Sequence, residues 1–190
     1  MILKTSATLL ELESRLNQEI LILDGAMGTL LQRLKFEESQ FRGERFKNFG
    51  REVKGNFDLL SLTQPEAVFD AHLAYFRAGA DIVETNSFNA NAISQAEFGM
   101  NEFVREMNIA AARAARRAAD EHERASGKKL YVAGSIGPTN RTASLSPDIS
   151  RPAYRNVDFE TLRMAYFEQA EALMEGGADT SRTSDPQPIA

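Results

Sequence analysis

The segment Phe76-Arg-Ala-Gly-Ala-Asp-Ile-Val-Glu-Thr-Asn86 decides the class of fold, because it joins the end of a helix to a buried strand. Gly79 follows a helical pattern that starts near Pro65, and glycine is the usual residue just after a helix end. The short apolar run after Asp81 is typical of a strand that is buried on both faces. Strands that alternate with helices in this way favour a parallel sheet, since parallel strands need crossover connections.

Four such strand–helix units are predicted in series. The predicted strands cover residues 20–24, 57–62, 81–86 and 130–134. The predicted helices cover residues 29–34, 65–78, 92–125 with a break near Gly99, and 158–176, and a lead-in helix covers residues 6–17. Residues 35–56 lack periodicity and are predicted to form an extended loop. The pattern indicates an α/β fold, but periodicity does not distinguish a doubly wound sheet from a barrel.

The composition excludes several kinds of partner and site. The formal charge of −5, from 22 Lys and Arg against 27 Asp and Glu, provides no basic field for nucleic acid or an anionic membrane. The 190 residues include no cysteine, which excludes disulfides, thiolate metal sites and a cysteine nucleophile within them. No apolar run approaches the roughly 20 residues of a membrane span. We therefore expect one cytoplasmic domain without a membrane or nucleic-acid partner.

A second helix-to-strand junction, Leu173-Met-Glu-Gly-Gly-Ala-Asp179, leads into an unusual sequence, Thr180-Ser-Arg-Thr-Ser-Asp-Pro-Gln-Pro-Ile-Ala190. A buried strand here would bury Arg182 and several hydroxyl groups, at roughly 2 kcal/mol for each unsatisfied polar group. We therefore expect no strand after Asp179, with a partial domain over residues 1–179 and a divergent, disordered tail over 180–190. An ordinary disordered terminus and a departure from the parent reading frame both explain this tail.

Polar residues and glycines collect where the predicted strands end, which is where α/β folds carry their sites. In Asp24-Gly-Ala-Met-Gly28, a carboxylate and the amides of a turn suit the ammonium and carboxylate of an amino acid, although a helix cap with close-packed glycines explains the segment equally well. The other candidates end the third and fourth predicted strands and are also explained as loop-fixing groups. The candidate substrate-binding residues are Asp24, Gly25, Ala26, Met27, Glu84, Thr85, Asn86, Gly134 and Ser135. None is assigned a catalytic or metal-binding role.

The segment Ile22-Leu-Asp-Gly-Ala-Met-Gly-Thr29 resembles the first strand of the homocysteine S-methyltransferase family. Further segments are more similar to the cobalamin-dependent members of that family than to its stand-alone members. They are Phe41-Arg-Gly-Glu-Arg-Phe46, Lys54-Gly-Asn-Phe-Asp-Leu-Leu60, Ala78-Gly-Ala-Asp-Ile-Val-Glu-Thr-Asn86 and Gly137-Pro-Thr-Asn-Arg-Thr-Ala-Ser-Leu-Ser-Pro-Asp148. The resemblance extends from about residue 15 to Asp179.

The resemblance implies the N-terminal half, four βα units, of a (β/α)8 TIM barrel. The implied reaction is methyl transfer from methylcobalamin, recharged by methyltetrahydrofolate, to zinc-bound homocysteine. By the same resemblance, Asp24 binds the amino group of homocysteine, and the backbone at Gly25, Ala26 and Met27 binds its carboxylate.

In that family, three zinc-binding cysteines and a further acidic ligand come from later strands. This chain alone is therefore expected to be inactive, to bind neither zinc nor cobalamin, and to self-associate through unpaired sheet edges. Two other hypotheses remain open: a small non-catalytic amino-acid-binding protein, and another barrel enzyme such as an aldolase that uses Glu84.

Overall fold

The computed structural model describes residues 7–144 and 146–183. Its helices are α1 (Ala7–Leu16), α2 (Met27–Arg33), α3 (Glu38–Arg42), α4 (Leu60–Thr63), α5 (Pro65–Arg77), α6 (Ala92–Gln95), α7 (Val104–Ser126) and α8 (Phe159–Gly176). The strands are β1 (Ile82–Glu84), β2 (Tyr131–Ile136) and β3 (Thr180–Thr183), and short 3-10 turns cover Phe57–Leu59 and Asn101–Phe103. No helix in these ranges is both long and apolar enough to cross a membrane.

The three strands form one parallel sheet in the order β1-β2-β3. Val83 pairs with Val132 in the register of the first two strands, and Gly134 pairs with Ser181 in the register of the last two. Beyond β1, the chain around Leu23 joins the sheet through an isolated parallel bridge to Ile82. The predicted α/β class with parallel strands is confirmed.

Long helices cover one face of this sheet. Val83, Val132 and Leu173 belong to a buried cluster that also contains four alanines of α7, and the small alanine side chains let the helix lie close to the strands. Gly176 allows an equally close contact between α7 and α8, because a Cβ atom there would lie 2.6 Å from the Cβ of Ala112. Asp158 caps the start of α8 by accepting a hydrogen bond of 2.7 Å from the amide of Thr161.

Helix α1 confirms the predicted lead-in helix and lies at the amino-terminal end of the strands. Its Leu12 is buried, and the Arg15 guanidinium carbon lies 5.5 Å from the ring centroid of Tyr131, the first residue of β2. Arg15 and Lys128 both pair with Asp81, at 3.6 Å and 2.6 Å. These contacts leave the carboxyl-terminal end of the sheet accessible.

Two of the four predicted strands differ in the structure. Residues 57–62, predicted as a strand, form a 3-10 turn and the start of α4. The consecutive residues Leu59 and Leu60 are both fully buried, and a short apolar run of this kind fits a buried helix as well as a strand. In the first predicted strand only Leu23 bridges to the sheet, and Ile20 is 93% exposed. The predicted four units in series are therefore not confirmed.

The segment 35–56, predicted as an extended loop, contains α3 and contributes to the core. Phe41, Phe46 and Val53 are all buried in one cluster. Glu38 fixes the returning chain, because its carboxylate accepts hydrogen bonds from the amides of Val53 and Lys54. The prediction failed because these apolar residues are spaced irregularly and pack around short turns instead of along one helix face.

The expectation that no strand follows Asp179 is wrong. Thr180–Thr183 forms β3, and the amide of Asp179 donates to the carbonyl of Val132 at 2.8 Å. Thr180 is half-buried and Ser181 exposed, so these polar residues do not incur the cost of burial on two faces. The rest of the predicted tail, residues 184–190, lies outside the described residues.

Candidate functional site

A cavity of about 300 Å³ lies at the carboxyl-terminal end of β1 and β2. The turn before α2 and the 3-10 turn at Phe57–Leu59 close two of its sides. Its lining residues are Gly25, Met27, Gly28, Phe57, Asp58, Glu84, Thr85, Asn86, Ser87, Phe88, Asn89 and Ser135. This is the end of a parallel sheet at which α/β proteins bind their ligands.

Six of the nine candidate residues from the sequence line this cavity: Gly25, Met27, Glu84, Thr85, Asn86 and Ser135. Asp24, Ala26 and Gly134 do not. Gly134 faces the helical layer, because a Cβ atom at this residue would lie 3.0 Å from Cδ1 of Leu173 in α8. Its lack of a side chain serves the packing of α8 on β2.

Asp24 connects the turn before α2 to β1. Its Oδ1 accepts a hydrogen bond of 3.0 Å from the amide of Glu84, and its own amide donates to the carbonyl of Ile82 at 2.9 Å. The Tyr75 hydroxyl would lie 3.7 Å from a Cβ atom on Gly25. Burial, followed by the nearby charge of Asp24, raises the pKa of Tyr75.

Hydroxyl groups tie the ends of β1 and β2 together. The amide of Ser135 donates to Oγ1 of Thr85 at 2.9 Å, and the hydroxyls of Thr85 and Ser87 lie 2.6 Å apart. The Ser87 hydroxyl in turn donates to the carbonyl of Ser135 at 2.8 Å. All three residues are buried, so this network fixes the cavity-lining backbone in one arrangement.

The loop after β1 forms one wall of the cavity, and five consecutive carbonyls in it accept hydrogen bonds from other segments. The pairs are Asn86 O with Ser61 Oγ (3.3 Å), Ser87 O with Gln169 Nε2 (2.7 Å), Phe88 O with Gly137 N (2.9 Å), Asn89 O with Gln95 Nε2 (3.2 Å) and Ala90 O with Asn108 Nδ2 (2.7 Å). The donors come from five separate parts of the fold. The loop is therefore pre-organised, as a ligand site requires.

Gly137 permits the close packing of this loop against the segment after β2. A Cβ atom on Gly137 would lie 2.4 Å from the carbonyl oxygen of Phe88 and 2.7 Å from its ring. Phe88 lines the cavity and remains 44% exposed. Glycine at position 137 thus sets the position of an aromatic ring at the edge of the cavity.

Asp58 is a cavity residue that the sequence analysis missed. It is 6% exposed, and its Oδ1 accepts a hydrogen bond of 3.0 Å from the amide of Asn89. Burial raises the pKa of its carboxyl group to about 6. The available signal was an acidic residue inside the apolar run Phe57-Asp-Leu-Leu60, which is unusual for a buried strand.

The family model for homocysteine S-methyltransferase matches residues 21–182. This chain belongs to the homocysteine S-methyltransferase family. The chemistry of this family is methyl transfer to the sulfur of homocysteine. The match includes the turn at Asp24 and the ends of β1 and β2, so the cavity lies within the family domain.

Solved structures of the homocysteine methyltransferase MmuM from Escherichia coli are similar to this chain. The oxidized form has a TM-score of 0.66 at 26% identity, over 90% of this chain and 55% of that chain. The metallated form has a TM-score of 0.67 at 24% identity, over 90% and 56%. The chain thus spans about half the length of the family structures that it matches.

The donor set of this chain does not fit a zinc site with thiolate ligands. The chain contains no cysteine, and among residues 7–144 and 146–183 no three His, Asp or Glu side chains are grouped so that they could hold a metal ion. His72 is buried in the helical layer, and His122 stacks on Phe76 with a centroid distance of 6.3 Å. Neither histidine lines the cavity.

Proposed function

We propose that this chain is the homocysteine-binding part of a cobalamin-dependent methionine synthase, and that the cavity at the end of β1 and β2 receives homocysteine. The observation that carries this proposal is the family match, which covers the segments that line the cavity. The narrower assignment to the cobalamin-dependent members rests on the sequence segments 41–46, 54–60 and 137–148.

The binding roles follow the resemblance, with one refinement. We assign the ammonium group of homocysteine to Asp24, which adjoins the lining residue Gly25. The amide of Met27 already donates to the carbonyl of Gly25 at 2.8 Å. The amides of Gly25 and Ala26 therefore remain as the groups for the substrate carboxylate, and Glu84, Thr85, Asn86 and Ser135 form the surrounding wall.

The chain alone is proposed to bind without catalysing methyl transfer. In the proposed parent enzyme, a bound zinc ion would lower the pKa of the homocysteine thiol, and methylcobalamin, recharged by methyltetrahydrofolate, would supply the methyl group. The donor set described above offers no thiolate for zinc. What these residues provide is the orientation of the amino-acid end of the substrate.

We propose that the segment around Leu23, β1, β2 and β3 are four consecutive strands of a partial (β/α)8 barrel. The parallel order and the likeness to about half of each MmuM structure support this proposal. Among the described residues, β3 and the segment around Leu23 form the two edges of the sheet. Such edges favour association with another chain.

Titration calorimetry with homocysteine tests the proposed function. We expect binding by the wild-type chain that zinc does not change, a marked loss of affinity in Asp24→Asn, and no methionine formation when methylcobalamin is added. Alanine, which lacks the thiol, is the comparison ligand. Equal affinity for alanine would favour the amino-acid-binding protein, and no binding of homocysteine would refute the proposal.

The aldolase alternative lacks support because the chain belongs to a methyltransferase family.

A further inference from the structure

Asp58 is a buried carboxylate in the lining of the cavity, and that lining includes no Lys, Arg or His. Among the described residues, none of the ion pairs includes Asp58. A buried carboxylate without a cation is costly, and burial accordingly raises the pKa of Asp58 to about 6. A cationic ligand that binds beside this carboxylate would offset the cost of its burial.

Asp58 is also held in position. It lies in the 3-10 turn before α4, and its Oδ1 accepts from the amide of Asn89 at 3.0 Å. Asn89 belongs to the loop whose carbonyls are bound by five other segments, so neither partner moves freely. A carboxylate fixed in this way can recognise a ligand without first being ordered.

We propose that Asp58 is a substrate-binding residue that recognises the ammonium group of the α-amino acid, together with Asp24. The proposal rests on the proposed function, which supplies homocysteine as the ligand. An ammonium group has three donors, so it can bind two carboxylates at once. Asp58 thereby determines that the site takes an amino acid instead of a plain carboxylic acid.

The competing explanation is that Asp58 only anchors Asn89. Titration calorimetry on the 190-residue chain near neutral pH distinguishes this explanation from ligand recognition. Wild type and Asp58→Asn are each titrated with two ligands. One is homocysteine, and the other is 4-sulfanylbutanoate, which lacks the ammonium group. Asparagine keeps an oxygen that can accept from Asn89. We expect Asp58→Asn to weaken homocysteine binding by about tenfold or more, since hydrogen bonds to charged groups are strong. Binding of 4-sulfanylbutanoate should change by less than about twofold.

Equal weakening of both ligands, or no change for either, would overturn the proposal. Wild type that binds the two ligands equally well would also overturn it while leaving the homocysteine site intact. Wild type that binds neither ligand would refute the proposed function itself. If Asp58→Asn does not fold, carbon NMR titration of the Asp58 carboxyl in wild type replaces it. Homocysteine, but not 4-sulfanylbutanoate, should lower the apparent pKa, and equal effects of the two would again overturn the proposal.

Discussion

The side-chain amide of Gln169 donates a hydrogen bond of 2.7 Å to the carbonyl oxygen of Ser87, 82 residues earlier in the chain. Gln169 lies in α8 and is 1% exposed, whereas Ser87 lines the cavity. Helix α8 thus holds part of the candidate ligand site directly. A change in α8 can therefore alter binding without touching the cavity.

Replacing Gln169 should affect the site more than the global stability. In Gln169→Leu the Ser87 carbonyl loses a donor, but a buried amide oxygen of Gln169, which has no described partner, is removed as well. We expect a loss of about 1 kcal/mol or less in unfolding free energy and a several-fold weaker homocysteine affinity. Denaturant melts and calorimetry measure the two effects. The control is Gln18→Leu at an exposed position, and an unchanged affinity in Gln169→Leu would contradict the prediction.

Gly137→Ala tests the close packing of the loop after β1. The new methyl group would lie 2.4 Å from the Phe88 carbonyl oxygen, so the loop must move. We expect a loss of about 1–3 kcal/mol in unfolding free energy together with weaker ligand binding. Gly50→Ala is the matched control, because nothing lies within 4 Å of a Cβ atom there. Similar melting curves for the two variants would show that the loop adapts without cost.

Capping residues and glycines in the sequence correctly predicted where some helices begin and end. Asp158 and Gly177 mark the ends of α8, and Gly99, with φ +70°, marks the break before α7, as expected from the sequence. The apolar run at 57–62 was wrongly predicted as a strand. Its sequence fits a buried strand and a buried helix equally well, so the tertiary contacts decide which of the two forms. The bond between Gln169 and Ser87 depends on tertiary contact, and no spacing in one sequence reveals it.

His72 should make the fold less stable in acid. Burial lowers its pKa from 6.5 to about 3, and neither ring nitrogen has a partner among the described residues. Because the folded-state pKa lies below the unfolded value, this contribution to stability is complete above about pH 6.5 and is lost as the pH falls towards 3. The expected slope approaches about 1.4 kcal/mol per pH unit.

Unfolding free energies of wild type and His72→Leu, measured from neutral pH downwards, check this prediction. The variant should be as stable as wild type or more stable in acid, since it removes two unsatisfied buried polar atoms. His122→Gln, which removes the other histidine of the sequence, is the control variant. Parallel curves for wild type and His72→Leu would exclude this histidine as the cause.

Asp58 should make the fold less stable as the pH rises, whereas His72 makes it less stable as the pH falls. Its folded-state pKa of about 6 lies above the ordinary 3.8, so its contribution is complete below about pH 3.8 and is lost as the pH rises through 6. Asp58→Asn should therefore gain stability relative to wild type between acidic and neutral pH, by roughly 3 kcal/mol at most. Paired denaturant melts of the two proteins measure the difference. A constant difference across this range would mean that the group does not titrate in the fold.

An apolar face of α8 should promote self-association of the chain. Phe167 is 58% exposed and Met164 53% exposed, and both border a second cavity of about 660 Å³ beside α6. Sedimentation velocity should show a mass that rises with concentration, and Phe167→Lys should reduce it because a charge is costly to bury in an interface. Leu10→Lys is the matched control, since Leu10 is 55% exposed on α1 at the other end of the sheet. A chain that stays monomeric at every concentration would show that neither α8 nor the strand edges drive association.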